Sequence, residues 1–168
     1  VHAVLQTVDL ATGEGLSATV STQATAEGIA DEADRIERLV ESCRTSDAVR
    51  EALASKRYWR ELYVGTAIEG TVVEGFIDLL YETDEGLVIV DYKTDSVRDA
   101  AQVATAMERY RLQGAAYAIV LEAALGRPVA KCVFVFAEPK TEAVIADLEE
   151  AKAAVREAIR RRFTPAAG

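Results

Sequence analysis

Val88-Ile89-Val90-Asp91-Tyr92-Lys93-Thr94 decides the reading of this sequence. A run of β-branched residues leads into an acid and a base two positions apart. Side chains at i and i+2 of a strand share one face, so Asp91 and Lys93 point the same way, roughly 7 Å apart at Cα. Upstream, Gly75-Phe76-Ile77-Asp78-Leu79-Leu80 is a second strand pattern in which Asp78 is the lone acid. If Thr83-Asp84-Glu85-Gly86 is a four-residue hairpin loop, Glu82 faces Leu87 and Asp78 falls opposite Asp91. Opposed side chains have Cβ atoms about 5 Å apart.

Two carboxylates so placed repel unless something positive lies between them. A divalent cation such as Mg²⁺ meets that need with oxygen ligands and retained waters. A metal held by Asp78 and Asp91 could polarise a phosphodiester and activate water. Lys93 could steady the added negative charge or orient that water. The Tyr92 carbonyl is a further candidate ligand. The competing reading is a solvated strand face with a hairpin salt bridge, and D-x-K spacing alone does not separate the two.

Outward from this hairpin the pattern is mixed. Residues 1–54 read as a helical section, broken at Gly13-Glu14-Gly15 and Gly28, with Ser46 as a helix cap. Tyr58–Thr66, Thr71–Tyr81 and Leu87–Thr94 read as three strands in a meander. Ala101–Leu125 reads as a long helix stopped by Gly126 and Pro128, Val129–Ala137 as a fourth strand, and Thr141 to about Arg162 as a final helix. The tail after Phe163 is expected to fray. This order predicts an α/β layered domain, with residues 55–163 as its core within a single 1–168 unit.

Composition limits the chemistry. The chain has 168 residues and a net charge of −9, from 19 Lys and Arg against 28 Asp and Glu. That opposes a broad nucleic-acid footprint, although a cation site is itself acidic. Two separated cysteines, Cys43 and Cys132, make no C-x-x-C pair and suit a reducing cytoplasm. No apolar run approaches the ~20 residues of a membrane span. The start at Val1 rather than Met points to a fragment of a longer chain. Arg160-Arg161-Arg162 could meet phosphate, but such runs are usually solvated helix ends.

Glu74-Gly75-Phe76-Ile77-Asp78-Leu79-Leu80 followed by Val90-Asp91-Tyr92-Lys93-Thr94-Asp95 resembles the core signature of RecB-like nucleases, a branch of the PD-(D/E)xK superfamily. Tyr110-Arg111-Leu112-Gln113-Gly114-Ala115-Ala116-Tyr117 resembles the family's Q-x-x-x-Y motif. Val1-His2-Ala3-Val4-Leu5 resembles the helix whose histidine joins the metal site. The resemblance implies a central mixed β-sheet flanked by helices. It implies catalytic roles for Asp78, Asp91, Lys93 and Gln113, and a Mg or Mn site built on His2, Asp78, Asp91 and Tyr92. It also implies DNA contact by Tyr117 and Tyr110. Glu61, at the start of the first strand, is an additional candidate acid. Some relatives carry four cysteines for an iron–sulfur cluster; two cannot supply one.

The expected function is therefore a divalent-metal-dependent (exo)deoxyribonuclease domain acting on DNA, single strands above all. The resemblance implies a helicase domain in the same chain and a role in double-strand-break repair; a separate partner protein is a further candidate. The alternatives are a non-catalytic nuclease-fold domain for DNA guidance or protein contact, and an acidic α/β interaction module with an accidental motif.

Overall fold

A computed structural model describes residues 1–163; the tail expected to fray lies outside the described residues. Four helices come first: α1 (His2–Thr7), α2 (Leu16–Ala26), α3 (Ala33–Arg44) and α4 (Asp47–Ala54), with a 3₁₀ turn at Ala30–Glu32. Then follow β1 (Tyr58–Ile68), β2 (Thr71–Thr83), β3 (Gly86–Lys93), α5 (Ala100–Leu125), β4 (Val129–Phe136), β5 (Thr141–Val144) and α6 (Leu148–Phe163). The five strands form one mixed sheet in the order β1-β2-β3-β4-β5. Only the β3–β4 pair, bridged by α5, is parallel.

The sheet divides the interior into two cores. Alternate residues of the central strands serve opposite faces, as the two-residue period of a strand requires. Leu87, Ile89, Cys132, Phe134 and Phe136 pack with Ala115, Ala118 and Ile119 of α5 and with Ala151 and Val155 of α6. Val88, Val90, Tyr92, Val133 and Val135 pack instead with Val4, Leu5, Val20, Val40 and Val49 of the N-terminal helices. Strand β3 is buried along its whole length, which is why it reads as a nearly continuous apolar run.

Local signals set the ends of several elements. The Ser46 hydroxyl accepts from the Val49 amide at the start of α4, and the Asp99 carboxylate accepts from the Gln102 amide at the start of α5. Gly126 closes α5 in the left-handed region, at φ 63°, where glycine carries no Cβ penalty.

Two expectations are corrected. The β2–β3 loop is a two-residue turn, Asp84-Glu85, because Thr83 already pairs with Gly86. The register is unchanged, with Glu82 opposite Leu87. Residues 141–144 are not the start of the last helix; they form β5, antiparallel to β4. The helix begins after Asp147, whose carboxylate accepts from the Glu150 amide. Asp147 followed three residues later by Glu150 is a capping signature that marks this start.

Candidate functional site

The site lies where the sheet opens. The β2–β3 ladder ends at the Leu79–Val90 pair, while β2 stays paired to β1 beyond it and β3 stays paired to β4 through Lys93. Asp78 and Asp91 are the next residues on the two arms of this fork. The register points them at each other, but the ladder stops one residue short. In place of the next rung, the Asp78 carboxylate accepts from the Tyr92 amide at 2.7 Å.

The alternation of β2 also inverts at this point. Ile77 and Leu80 face α5, whereas Leu79 and Tyr81 face the N-terminal helices. Across the hairpin, Arg60 pairs with Leu79 and Leu62 with Ile77, and Glu61 between them has φ 49°. A positive φ is uncommon and unfavourable for a residue with a Cβ. It lets Arg60 reach one face of the sheet while Leu62 packs on the other.

Besides β2, which carries Asp78, three elements bring side chains to the fork. From β3, Lys93 Nζ lies 2.7 Å from Asp91 Oδ1, and both side chains are nearly buried. From α5, Gln113 Oε1 accepts from Lys93 Nζ at 2.9 Å, and Gln113 Nε2 donates to the Tyr117 hydroxyl at 3.3 Å. The Tyr110 ring lies under Lys93, with Nζ 3.9 Å from its centroid. From α1, His2 Nε2 lies 2.9 Å from the Tyr92 carbonyl oxygen and 3.5 Å from Asp78 Oδ2.

A six-residue helix has little stability of its own. Buried Val4 and Leu5 hold α1 on the core. Arg60 donates to the Leu5 and Val8 carbonyls at its C-terminal end, at 3.1 and 2.7 Å. The anchored helix carries His2 to Asp78.

The charges are tuned by position. Burial pushes the Asp91 carboxyl up to about 6; the nearby Lys93 opposes this and the Asp78 charge adds to it. The His2 imidazole is held above its ordinary value, chiefly by its hydrogen bond to Asp78, against the opposing effect of burial. Burial raises the Tyr117 hydroxyl, with smaller contributions from Asp91, Asp78 and Glu61.

The structure thus gathers Asp78, Asp91, Lys93, Gln113, Tyr110, Tyr117, His2 and the Tyr92 carbonyl at one place. Glu61 sits across β1 from Asp78, near enough to influence Tyr117. Arg160 and Arg161 lie elsewhere and pair with acids, Glu69 and Glu157 among them. Sequence reasoning assigned no role to Arg60 or Asp95. Asp95 accepts from the Tyr110 hydroxyl and, at 3.4 Å, from Arg109. An acid two residues after the lysine of a strand-borne D-x-K is the one signal that marks it.

Among the described residues, no three His, Cys, Asp or Glu side chains stand ready to hold a metal ion. Asp91 is turned onto Lys93, and His2 Nε2 is engaged with the Tyr92 carbonyl. The donors are nonetheless carboxylate and carbonyl oxygens, the types that suit Mg and Mn, with one imidazole nitrogen, which suits Mn better than the harder Mg. A bound cation would relieve the part that the Asp78 charge adds to the burial-driven rise of Asp91. The donor set fits such an ion in its chemistry.

Comparison with known proteins bears on the family and the fold. Residues 1–168 match the family described as the PD-(D/E)XK nuclease superfamily. One of the subunits of an ATP-dependent helicase/nuclease from Bacillus mycoides (strain KBAB4) is 31% identical over 164 residues, covering 81% of this chain and 13% of that protein. The protein of the same description from Thermoanaerobacter sp. (strain X514) is 35% identical over 85 residues, 50% of this chain and 7% of that one. The chain therefore spans only a small part of the length of these relatives. A crystal structure described as that of an exonuclease from Eubacterium rectale superposes with a TM-score of 0.50 at 15% identity, covering 87% of this chain and 64% of that one. At that identity the likeness concerns the fold alone.

Proposed function

This chain belongs to the PD-(D/E)XK nuclease superfamily, and from that premise we propose that it is a divalent-metal-dependent deoxyribonuclease domain, the exonuclease part of a helicase–nuclease that processes double-strand breaks. The observation that carries the reading is the convergence of Asp78, Asp91 and Lys93 where β2 leaves β3. The similarity to helicase/nuclease proteins supports a helicase domain in the same polypeptide and DNA as substrate.

His2, Asp78, Asp91 and the Tyr92 carbonyl would hold the ion, Mg or Mn. When bound, such an ion polarises a phosphodiester and lowers the pKa of a coordinated water. Lys93 presents a compact positive charge where negative charge develops on phosphate. Gln113 fixes the ammonium through its Oε1, and Tyr117 fixes Gln113 in turn. Buried flanks exclude bulk water and strengthen these electrostatic contacts.

No helix among the described residues is long and apolar enough to cross a membrane. A cytoplasmic location, as the reduced cysteines and DNA substrate suggest, is part of the proposal.

The test is cleavage of end-labelled single- and double-stranded DNA with Mg, with Mn and with EDTA. Cleavage of single strands with either metal, abolished by EDTA and by Asp91→Ala, is the expected result. Metal-dependent DNA binding without cleavage would leave a guidance domain instead.

A further inference from the structure

Lys93 is held from three sides: by the Asp91 carboxylate, by Gln113 Oε1 and by the face of Tyr110. The first of these partners is the one the proposed metal would claim. Tyr110 is itself fixed. Its ring packs on Phe134 and Phe136, with centroids 5.7 and 6.3 Å away. Its hydroxyl donates to Asp95, just past the end of β3. Arg109 approaches the same group, with Nη2 3.1 Å from the Tyr110 hydroxyl and 3.4 Å from Asp95 Oδ2.

We propose that Tyr110 is a positioning residue for the ammonium of Lys93, clamped in place by Asp95, rather than a contact for DNA. The inference rests on the nuclease reading of the site and deepens it. An ammonium over an aromatic face is attracted by the ring quadrupole, and most strongly where water is excluded; the Lys93 side chain is only 10% exposed. The ring neither donates to nor competes with the reacting groups, so it can keep Lys93 aimed while Asp91 turns to another partner. Asp95 supplies what a ring packed on phenylalanines lacks, a fixed rotation about its own axis. Lys93 and Asp95 lie two residues apart, so the chain that delivers the lysine also delivers the clamp.

Two readouts test this. By NMR of the metal-free protein, the Lys93 Cε protons should be shifted upfield by the Tyr110 ring current. Tyr110→Phe, which loses the hydroxyl, and Asp95→Asn, which loses the charge, should each reduce the shift, and Tyr110→Leu should remove most of it, leaving the contribution of Phe134, whose ring centroid lies 5.4 Å from Nζ. In steady-state cleavage with Mg, Tyr110→Leu should lower kcat about 10-fold with KM nearly unchanged, the order expected from one desolvated cation–π contact. Asp95→Asn and Tyr110→Phe should each lower kcat only a few-fold. A rise in KM at constant kcat would overturn the proposal in favour of DNA contact, as would an unshifted Lys93 in the parent protein. If Tyr110→Leu does not fold, Asp95→Asn carries the test, because Asp95 is partly exposed and outside the core. A parent protein without cleavage activity would count against the nuclease reading alone. The ring-current series would then decide whether Tyr110 holds Lys93.

Discussion

In the metal-free protein Asp78 accepts from the Tyr92 amide and lies 3.5 Å from His2 Nε2, and these contacts set what its removal costs. Seen from sequence, Asp78 and Asp91 are a repelling pair, and deleting either acid relieves strain. The structure reverses that expectation for Asp78, because its carboxylate takes the Tyr92 amide where the β2–β3 ladder fails. An amide deprived of its acceptor in a largely buried setting costs about 1–3 kcal/mol. Asp78→Asn keeps an acceptor oxygen, while Asp78→Ala does not. Both variants should lose cleavage, but in EDTA the alanine variant should be less stable than the asparagine variant by about 1 kcal/mol. Urea denaturation of the two decides it; equal midpoints would mean that the Tyr92 amide finds another acceptor.

Elements carry the site by packing against one another, and α5 against β2 is the decisive contact. A Cβ on Gly75 would lie 2.7 Å from Cε1 and 2.8 Å from the hydroxyl of Tyr117. Glycine is therefore needed there for close approach, with no positive φ involved. Gly75→Ala should push Tyr117 off the strand and with it the hydroxyl that holds Gln113, costing about 1–3 kcal/mol by overpacking. Combining it with Tyr117→Ala should recover most of that loss, so a double-mutant cycle should give a favourable coupling of about 1 kcal/mol or more. Additive effects would mean that the ring is free to swing away. The long elements of this fold were legible because their signals are strong. Strand β3 is a nearly continuous apolar run up to Val90, α5 ends on Gly126, and Ser46 announces α4. The D-x-K spacing and the hairpin register also put the two aspartates together correctly. Strand β5 was missed because its four residues, Thr141–Val144, carry no pattern of their own and owe their conformation to pairing with β4. The fork itself was not legible. It depends on Glu61 adopting φ 49°, and no residue-type signal announces that where the residue is not glycine.

At the scale of the whole molecule, the charge of −9 makes proton binding a measure of how the site is built. Two groups with raised values act between neutral and mildly acidic pH: Asp91, pushed up to about 6, and His2, raised through Asp78. For each, the folded protein binds protons more tightly than the unfolded chain, where the carboxyl lies near 4 and the imidazole near 6.5. Stability falls with rising pH wherever the folded state holds more protons. The metal-free domain should therefore gain stability as pH drops from about 8 to about 5, on the order of 2 kcal/mol from Asp91. That contribution is fully present below the unfolded pKa and is lost as pH rises through about 6. The His2 contribution has the same sign and is lost at higher pH, above its raised folded value. Glu41 and Glu51 are lowered by Arg44 and Tyr81 and act with the opposite sign, but only below about pH 4.5, outside this window. Added Mg or Mn should invert the trend, because metal ligands must be deprotonated and binding releases the protons that Asp91 and His2 hold. The stabilisation by metal should be largest near pH 8 and fade as pH approaches about 5.5. Urea unfolding across this range, in EDTA and in saturating Mn, should give two curves that converge at low pH. Metal-free stability that declines as pH falls would show that Asp91 is better hydrated than its position in the fork implies. A metal increment independent of pH would place the ion away from Asp91 and His2, and the proposed ligand set would have to be abandoned.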